Sequence, residues 1–134
     1  MKNILITGAT SGLGLMLSRY FNKKSFDLIL TGKDRKKLNN LKKELIFKNK
    51  KNCFALDFSK KNNFYYFLKI IKKQKKKIDI VFHCLGGGFG KHTPTISKKD
   101  LNFLFNINVS SAVGINKIIL EKKKYNKNLK IIHI

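Results

Sequence analysis

The sequence predicts an α/β fold, in which a doubly wound parallel sheet carries helices on both faces, in a single domain over residues 1–134. Two observations predict it. Short apolar runs rich in Ile, Leu, Val and Phe recur along the chain, with amphipathic helical patterns between them. A glycine-rich turn follows the first of these runs directly. Alternation of this kind is typical of right-handed βαβ units, and the length is that of one domain.

Five apolar runs are predicted as the strands of this sheet. Each is short and almost free of polar residues, as expected for parallel strands that are covered on both faces. The runs span residues 3–7, 26–31, 53–56, 78–82 and 129–134. The chain stops on the fifth run with no following helix, and a bare terminal strand exposes both a face and an edge. We therefore expect the sequence to be truncated after the fifth strand.

Helical patterns separate the predicted strands. In each of them apolar residues recur every three or four positions and so share one face, which we predict to be buried. The pattern before the last strand is the longest. The predicted faces are formed by Leu13, Met16, Leu17, Tyr20 and Phe21; by Leu38, Leu41 and Leu45 in a segment that begins near Asp34; by Phe64, Phe67, Leu68 and Ile71; and by Val109, Ala112, Val113 and Ile119.

The glycine-rich turn over residues 7–14 (TGATSGLG) indicates a site for a dinucleotide phosphate. The first glycine, Gly8, allows a tight turn, Gly12 lets the backbone approach a pyrophosphate, and Gly14 lets helix and strand pack closely. The N-terminus of the following helix presents free N–H groups and a partial positive charge. The spacing is G-x-x-x-G-x-G and not the commoner G-x-G-x-x-G. Turn and strands together predict a Rossmann-type sheet with the strand order 3-2-1-4-5.

The charge balance is strongly basic, with 30 Lys and Arg against 7 Asp and Glu and a formal net charge of +23. Such a balance is one signature of a nucleic-acid-binding protein. The alternative is a bias in residue usage, because nearly all the cations are lysines and they are scattered over every predicted helix. We favour the bias and predict no specific nucleic-acid partner, although adhesion to polyanions at low salt is expected.

The cysteines and the hydropathy of the sequence indicate in which cellular compartment the protein is expected. Cys53 and Cys84 lie in strand-like segments and are predicted as reduced core thiols. Neither cysteine has metal-ligand spacing with His83, His92 or His133, so no metal site is predicted. No apolar run reaches the ~20 residues of a membrane span. A cytoplasmic protein without a membrane partner is therefore expected.

Several ordered motifs resemble the short-chain dehydrogenase/reductase family, over the whole chain but only about the first half of that family's usual domain. The glycine-rich turn is similar to the family's cofactor turn. Asp57, after the third predicted strand, resembles the acid that hydrogen-bonds the adenine amino group. Asn108 resembles the helix asparagine that positions a water in the proton relay. In the alternatives, Asp57 is a strand-end cap and Asn108 an ordinary helix residue.

The resemblance implies a cofactor site built from several segments of the chain. It implies NAD(P)(H) as the cofactor and a small molecule, a carbonyl compound or an alcohol, as the substrate of the intact protein. The cofactor-binding residues that it implies are Thr7, Gly8, Thr10, Ser11, Gly12, Leu13 and Gly14 in the turn, then Lys33, Asp57 and Phe58, and finally Cys84, Leu85 and Gly86.

The end of the second predicted strand bears on the choice of cofactor, because the adenosine ribose lies beside it. An acid at position 32 would accept the ribose hydroxyls and repel a 2′-phosphate. Gly32 removes that acid, and Lys33 offers a cation instead. By resemblance, the basic residue favours NADP(H) over NAD(H).

Two features depart from the family pattern. The residues His83-Cys84-Leu85-Gly86 stand where the family has Asn-Asn-Ala-Gly. The family's serine and its Tyr-x-x-x-Lys follow the fifth strand, beyond residue 134. We therefore expect the chain alone to be inactive, with Asn108 as its one supporting catalytic residue.

Other combinations of reactive residues are expected to be structural. Tyr-x-x-x-Lys occurs at Tyr20 and at Tyr65, both before the fifth strand, and we expect these tyrosines to pack between helix and sheet with a solvated hydroxyl. A nucleophile–base pair of Cys84 and His133 on neighbouring strand ends is conceivable, with buried packing as the expected alternative.

Three functions remain open at this point. The first is the cofactor-binding part of an NAD(P)(H)-dependent oxidoreductase that transfers hydride to or from a carbonyl or alcohol carbon. The second is a non-catalytic dinucleotide sensor or partner-binding module, and the third is a basic nucleic-acid binder. The family resemblance also implies that the intact protein can form a homo-oligomer through paired helices.

Overall fold

The computed structural model describes residues 1–91 and 93–134, and it confirms the predicted sheet. Five parallel strands form one sheet in the order β3-β2-β1-β4-β5. The strands are β1 (Asn3–Thr7), β2 (Asp27–Gly32), β3 (Cys53–Ala55), β4 (Ile78–His83) and β5 (Tyr125–His133). The helices are α1 (Gly12–Lys23), α2 (Arg35–Glu44), α3 (Phe47–Lys50), α4 (Lys61–Lys73), α5 (Lys98–Phe105) and α6 (Ser111–Glu121), with a π-helical turn over Asn106–Ser110 between the last two.

The core consists of two apolar layers, one on each face of the sheet. On one face, Ile4 and Leu30 pack with the α2 residues Leu38 and Leu41. On the other face, Leu5 packs with residues of α4 and α6. The alternation of side chains along each strand sends successive residues to opposite layers. Both faces of the central strands are therefore covered, which explains why β1 and β2 read as unbroken apolar runs.

Two of the predicted helix faces are confirmed. Leu38, Leu41 and Leu45 are all buried, and α2 begins after Asp34, whose carboxylate accepts a hydrogen bond from the Lys37 N–H at 2.9 Å. On α4, Phe67 and Ile71 are fully buried.

The predicted buried face of α1 is confirmed only in part: Leu17 and Phe21 are partly buried and pack against the core. Met16 and Tyr20 are 67% and 56% exposed, whereas Gly14, Ser18 and Asn22 are the buried residues of this helix. The reason is that α1 lies very close to the end of β1, where a Cβ atom on Gly14 would overlap the carbonyl oxygen of Gly8. Small and polar residues fit that gap, and the larger apolar side chains flank it.

The helix before β5 is longer than predicted and its exposed side is apolar. It begins at Lys98 and buries Ala112, Ile115 and Ile119, while Val109 and Val113 are exposed, contrary to prediction. Together with Leu101 and Phe105 they form an exposed apolar stripe, in which each residue is four positions from the next.

The helical segment Lys98–Glu121 is also long and apolar enough, by length and composition, to span a membrane. This differs from the expectation that no run reaches such a length. A core helix of a soluble protein meets the same two criteria, so they do not by themselves place the helix in a membrane.

The fifth strand starts earlier than predicted. It begins at Tyr125 and not at Leu129, and its register against β4 shifts between Ile78 and Ile80. Its first residues are polar and exposed, as an edge strand allows, so they lack the apolar signal of a covered strand.

Candidate functional site

The carboxyl ends of the parallel strands meet at one edge of the sheet, and the glycine-rich turn lies at the centre of that edge. Thr7 at the end of β1 is in register with Thr31 of β2 and His83 of β4. The N–H of Ala9 donates to the carbonyl of Thr31 at 2.9 Å and ties the turn to β2. Ligands of doubly wound sheets bind in the crevice outside the strand ends, at the point where the strand order reverses. Here that point lies between β1 and β4.

The N-terminus of α1 is suited to an anion. Gly12 adopts a left-handed φ of 48°, and a Cβ atom placed on it would meet nothing within 4 Å. Ser11 caps the helix in an extended conformation, with no cap hydrogen bond from its side chain and no acidic residue in the first turn. The first N–H groups of a helix lack intrahelical partners and carry a partial positive charge. The open space beside Gly12, the first residue of this helix, is compatible with a phosphate group.

The side chains of the turn divide between the core and the surface. Thr7 and Thr10 are buried, and Leu13 is 46% exposed. Thr10 and Ser11 line a cleft of about 370 Å³ between α1 and α2, together with Lys37. The turn therefore offers its backbone, more than its side chains, to a ligand.

The end of β2 places a cation at the same edge. A Cβ atom on Gly32 would lie 2.7 Å from the side-chain oxygen of Thr10, so Thr10 fills the space that an acid at position 32 would need. The next residue, Lys33, holds its Nζ atom 5.0 Å from the ring centroid of Phe89. Strand β2 is thus followed by the ammonium group of Lys33, while the carboxylate of the next residue, Asp34, is engaged at the N-terminus of α2.

Asp57 follows β3 and forms a local turn. Its Oδ1 atom accepts hydrogen bonds from the backbone N–H of Ser59 at 3.0 Å and from the Ser59 hydroxyl at 2.7 Å. Partial burial raises the pKa of Asp57, but the Ser59 hydrogen bonds and the charges of Lys33 and Lys60 outweigh it, so the pKa lies below its ordinary value. Asp57 is therefore an ionised hydrogen-bond acceptor, and the charge of Lys33 is one of the causes of its lowered pKa. The adjacent Phe58 is buried in the core against Phe67.

The residues after β4 approach the glycine-rich turn through their backbone. The N–H of Cys84 donates to the Thr7 carbonyl at 3.2 Å. The Cys84 side chain is half-buried, packs in the layer that holds Ile4, and has a pKa raised by burial. Cys53 is free and buried, with a pKa raised by burial to about 11. Both cysteines are thus free; Cys53 lies in the core as predicted, whereas Cys84 is only half-buried.

Asn108 lies in the π-helical turn, where the N–H of Ser111 bonds the carbonyl of Asn106 five residues before it. The side chain of Asn108 holds the loop after β4. Its Oδ1 atom accepts a hydrogen bond from the Gly87 N–H at 2.8 Å, and its Nδ2 atom donates to the Gly87 carbonyl at 3.1 Å. A Cβ atom on Gly86 would lie 2.5 Å from that Oδ1 atom. π-Turns of this kind are frequent at functional sites.

His83 forms a polar cluster that sequence reasoning missed. Its ring is buried and stacks on His133 with centroids 4.7 Å apart, and its Nε2 atom lies 2.8 Å from Oδ1 of Asn116. Burial lowers the pKa of His83, although the Asn116 contact opposes this effect. The contact between His83 and His133 follows from the register of β4 against β5. Because no local sequence pattern specifies that register, the pair could not be predicted from the sequence.

The minor candidates from the sequence do not form sites. Cys84 and His133 project to opposite faces of the sheet, because His133 is paired with His83, the residue before Cys84. Tyr20 and Tyr65 are 56% and 50% exposed, so the prediction that they pack between helix and sheet is wrong. His92 lies outside the described residues, and within residues 1–91 and 93–134 there is no group of three or more metal-ligating side chains.

The fold defines a Rossmann-like α/β protein, and comparison with known proteins gives the family. The family model described as short chain dehydrogenase matches residues 2–134. The chain therefore belongs to the short-chain dehydrogenase family, a family of oxidoreductases that bind NAD(P).

One curated relative has an oxidoreductase name. The chain is 27% identical over 133 residues to the uncharacterized oxidoreductase YvrD of Bacillus subtilis (strain 168), covering 99% of this chain and 50% of the relative.

Solved structures share the fold. A bulky-bulky ketone specific alcohol dehydrogenase from Comamonas testosteroni superposes with a TM-score of 0.78 at 17% identity, over 91% of this chain and 49% of that one. A short chain dehydrogenase from Bacillus anthracis str. 'Ames Ancestor' gives a TM-score of 0.73 at 22% identity, over 90% and 49%. The chain thus spans about half the length of these relatives.

Proposed function

We propose that residues 1–134 form the cofactor-binding part of an NAD(P)(H)-dependent short-chain oxidoreductase, with NADP(H) preferred. The observation that carries the proposal is the N-terminus of α1 at the strand-order reversal, where Gly12 leaves open space and the N-cap residue Ser11 makes no side-chain cap hydrogen bond. When bound there, the nicotinamide would exchange a hydride through its C4 carbon with a carbonyl or alcohol carbon of a small-molecule substrate.

The residues of the turn would hold the pyrophosphate. The first backbone N–H groups of α1 lack intrahelical partners and would donate to phosphate oxygens. Ser11 has a side-chain hydroxyl without a cap hydrogen bond, so it is available as a further donor. The remaining predicted contacts of the turn, from Thr7, Gly8, Thr10, Leu13 and Gly14, would come mainly from the backbone.

The adenosine half would lie across the ends of β2 and β3. Asp57 is ionised and would accept a hydrogen bond from the adenine amino group, while Phe58, being buried, would contribute through its backbone. Lys33 would contact a 2′-phosphate. The preference for NADP(H) is supported by Gly32, which leaves no acid at that position to accept the ribose hydroxyls, and by the cation of the adjacent Lys33.

The loop after β4 would line the ribose on the nicotinamide side, through Cys84, Leu85 and Gly86. Asn108 fixes this loop from the π-turn and is proposed as the supporting catalytic residue, which helps to place the water of the proton relay. The serine and the Tyr-x-x-x-Lys of the family follow β5, so the segment 1–134 by itself would bind the cofactor without efficient turnover.

The setting of the whole protein is part of the same proposal. We expect a cytoplasmic protein without a membrane or specific nucleic-acid partner. The apolar stripe of Leu101, Phe105, Val109 and Val113 supports a homo-oligomer of the intact protein, because exposed apolar patches mark interaction surfaces.

The experiment is a titration of the protein with NADPH and NADH, followed by calorimetry and by nicotinamide fluorescence. We expect saturable binding, tighter for NADPH. A Gly12→Val variant should lose binding of both dinucleotides, because its side chain fills the space in front of α1, while Leu13→Val next to it should retain binding. Failure of the unsubstituted protein to bind either dinucleotide would exclude this function. Steady reduction of a carbonyl compound by residues 1–134 alone would contradict the proposal that this segment binds the cofactor without efficient turnover.

A further inference from the structure

We propose that Phe89 is a positioning residue for Lys33 and thereby determines the preference of this site for a 2′-phosphorylated dinucleotide. The inference rests on the proposed function. It adds a residue from the loop after β4, on a different element from Lys33, to the selectivity determinants at the end of β2.

The contact that carries the inference is a cation–π interaction. The Nζ atom of Lys33 lies 5.0 Å from the centroid of the Phe89 ring, within the range in which an ammonium group is attracted to a ring face. The charge of Lys33 also contributes to lowering the pKa of Asp57, after the effects of burial and of the Ser59 hydrogen bonds. The ring contact is the interaction that orders the Lys33 side chain.

The Phe89 backbone is strained in the conformation that makes this contact. Its φ angle is 51°, in the left-handed region that bulky residues rarely adopt. Such conformations persist only where the surroundings hold them, and they cluster at functional sites. Phe89 is held by an edge-to-face contact with Phe103 of α5, with centroids 5.6 Å apart and planes at 88°.

The loop that carries Phe89 is anchored on both sides of it. Before it, Gly87 makes its two hydrogen bonds with the side chain of Asn108. After it, Lys91 forms an ion pair with Asp100 at the start of α5. The ring is thus placed by contacts that are independent of Lys33, so the ring is the fixed member of the pair and the flexible lysine is the positioned one.

A ring face suits this purpose better than a carboxylate. Lysine has four side-chain torsions, and ordering them on binding costs affinity. An acid partner would order the chain but would also neutralise its charge and compete with an incoming phosphate. The aromatic quadrupole orders the chain and leaves the full positive charge available.

The test measures the ratio of the NADH and NADPH dissociation constants for the full natural chain that contains these residues, in buffer of physiological ionic strength. Phe89→Leu keeps apolar volume but removes the ring face, and Phe89→Tyr keeps the ring face. We expect Phe89→Leu to lower the ratio by about threefold to tenfold through weaker NADPH binding. Phe89→Tyr should keep the ratio, and Lys33→Ala should abolish the preference. In the Lys33→Ala background, Phe89→Leu should change nothing further.

Several outcomes would overturn the inference. One is an unchanged ratio in Phe89→Leu while Lys33→Ala loses the preference. Another is an equal loss of NADH and NADPH binding in Phe89→Leu, which is the effect of a residue that only shapes the loop. The wild-type measurement separates this inference from the proposed function. If the wild type binds neither NADH nor NADPH, the proposed function and the inference are both rejected. If it binds NADPH and Phe89→Leu does not weaken that binding, only the inference is rejected. Should Phe89→Leu fail to fold, a reduced ratio in Phe89→Tyr would contradict the inference.

Discussion

The side chain of Asn108 makes a pair of hydrogen bonds to the backbone of Gly87, with its Oδ1 atom 2.8 Å from the Gly87 nitrogen and its Nδ2 atom 3.1 Å from the Gly87 oxygen. The same Nδ2 atom lies 2.9 Å from the Leu104 carbonyl oxygen, one turn earlier in the helix. One amide therefore joins the helix before β5 to the loop after β4. That loop also carries Phe89. Asn108 therefore holds the backbone of the loop at the edge of the sheet where the carboxyl ends of the strands meet.

Replacing Asn108 by alanine should loosen the loop after β4 and lower the free energy of unfolding by about 1–3 kcal/mol, because backbone groups of Gly87 lose their partners. Hydrogen exchange at the Gly87 amide reports the loosening directly. Asn108→Asp is the matched control, since it keeps an acceptor for the Gly87 N–H. It should keep more protection at Gly87 than the alanine variant. Equal protection in wild type and Asn108→Ala would show that the loop does not depend on this side chain.

The two glycines that flank Leu13 should respond differently to alanine. Gly14→Ala is expected to lower the free energy of unfolding by about 2–3 kcal/mol, because its Cβ atom would overlap the Gly8 carbonyl and force α1 away from β1. Gly12→Ala meets no neighbour and should cost only about 1–2 kcal/mol for its left-handed φ. Urea denaturation of both variants gives the comparison. A Gly14→Ala protein as stable as the wild type would show that α1 and β1 are further apart than described.

Substitution of Thr31, near the carboxyl end of β2, should stabilise the protein. Its hydroxyl is buried and has no hydrogen-bond partner among residues 1–91 and 93–134. Thr31→Val replaces that hydroxyl by a methyl group of similar size and should raise the free energy of unfolding by about 1 kcal/mol. Thr31→Ser keeps the hydroxyl, loses the methyl group and should be less stable than the wild type. Thermal melts of the three proteins give the order, and a Thr31→Val protein below the wild type would indicate a hidden partner for the hydroxyl.

Buried His83 should make stability depend on pH in the mildly acidic range. Its pKa in the folded protein is lowered from the ordinary value of 6.5, chiefly by burial, so the folded state resists a proton that the unfolded state accepts. Stability is then fully present above the ordinary pKa and is lost as the pH falls from about 7 to 5. Urea midpoints at several pH values measure this loss.

His83→Asn is the control for that prediction, because asparagine can still bond Asn116 but does not titrate. Its midpoint should change less between pH 7 and pH 5 than that of the wild type. The lowered pKa values of Asp27, Asp57 and Asp100 act in a separate window, below their ordinary value of 3.8. Equal slopes in the two proteins would show that another group causes the dependence.

The strands and their order could be predicted because parallel strands covered on both faces need apolar residues at every position. Asn3–Thr7 is observed as predicted, and the other predicted starts of β2 to β4 lie within one residue of those observed. The start of β5 at Tyr125 could not be predicted, because residues 126–128 are polar and exposed and so carry no apolar signal. The site residues follow the same division: the glycine-rich turn is a local motif, whereas the contact of Lys33 with Phe89 joins two distant loops.

The amino-acid sequence by itself determined the periodicities, the turn chemistry and the family, because each depends on residues a few positions apart or on an ordered series of motifs. Tertiary structure alone decided which side of α1 faces the sheet, how His83 meets His133, and where Phe89 meets Lys33. These relations depend on the distance between packed elements and on the register of neighbouring strands. Such quantities arise from the whole chain, so no local pattern can carry them.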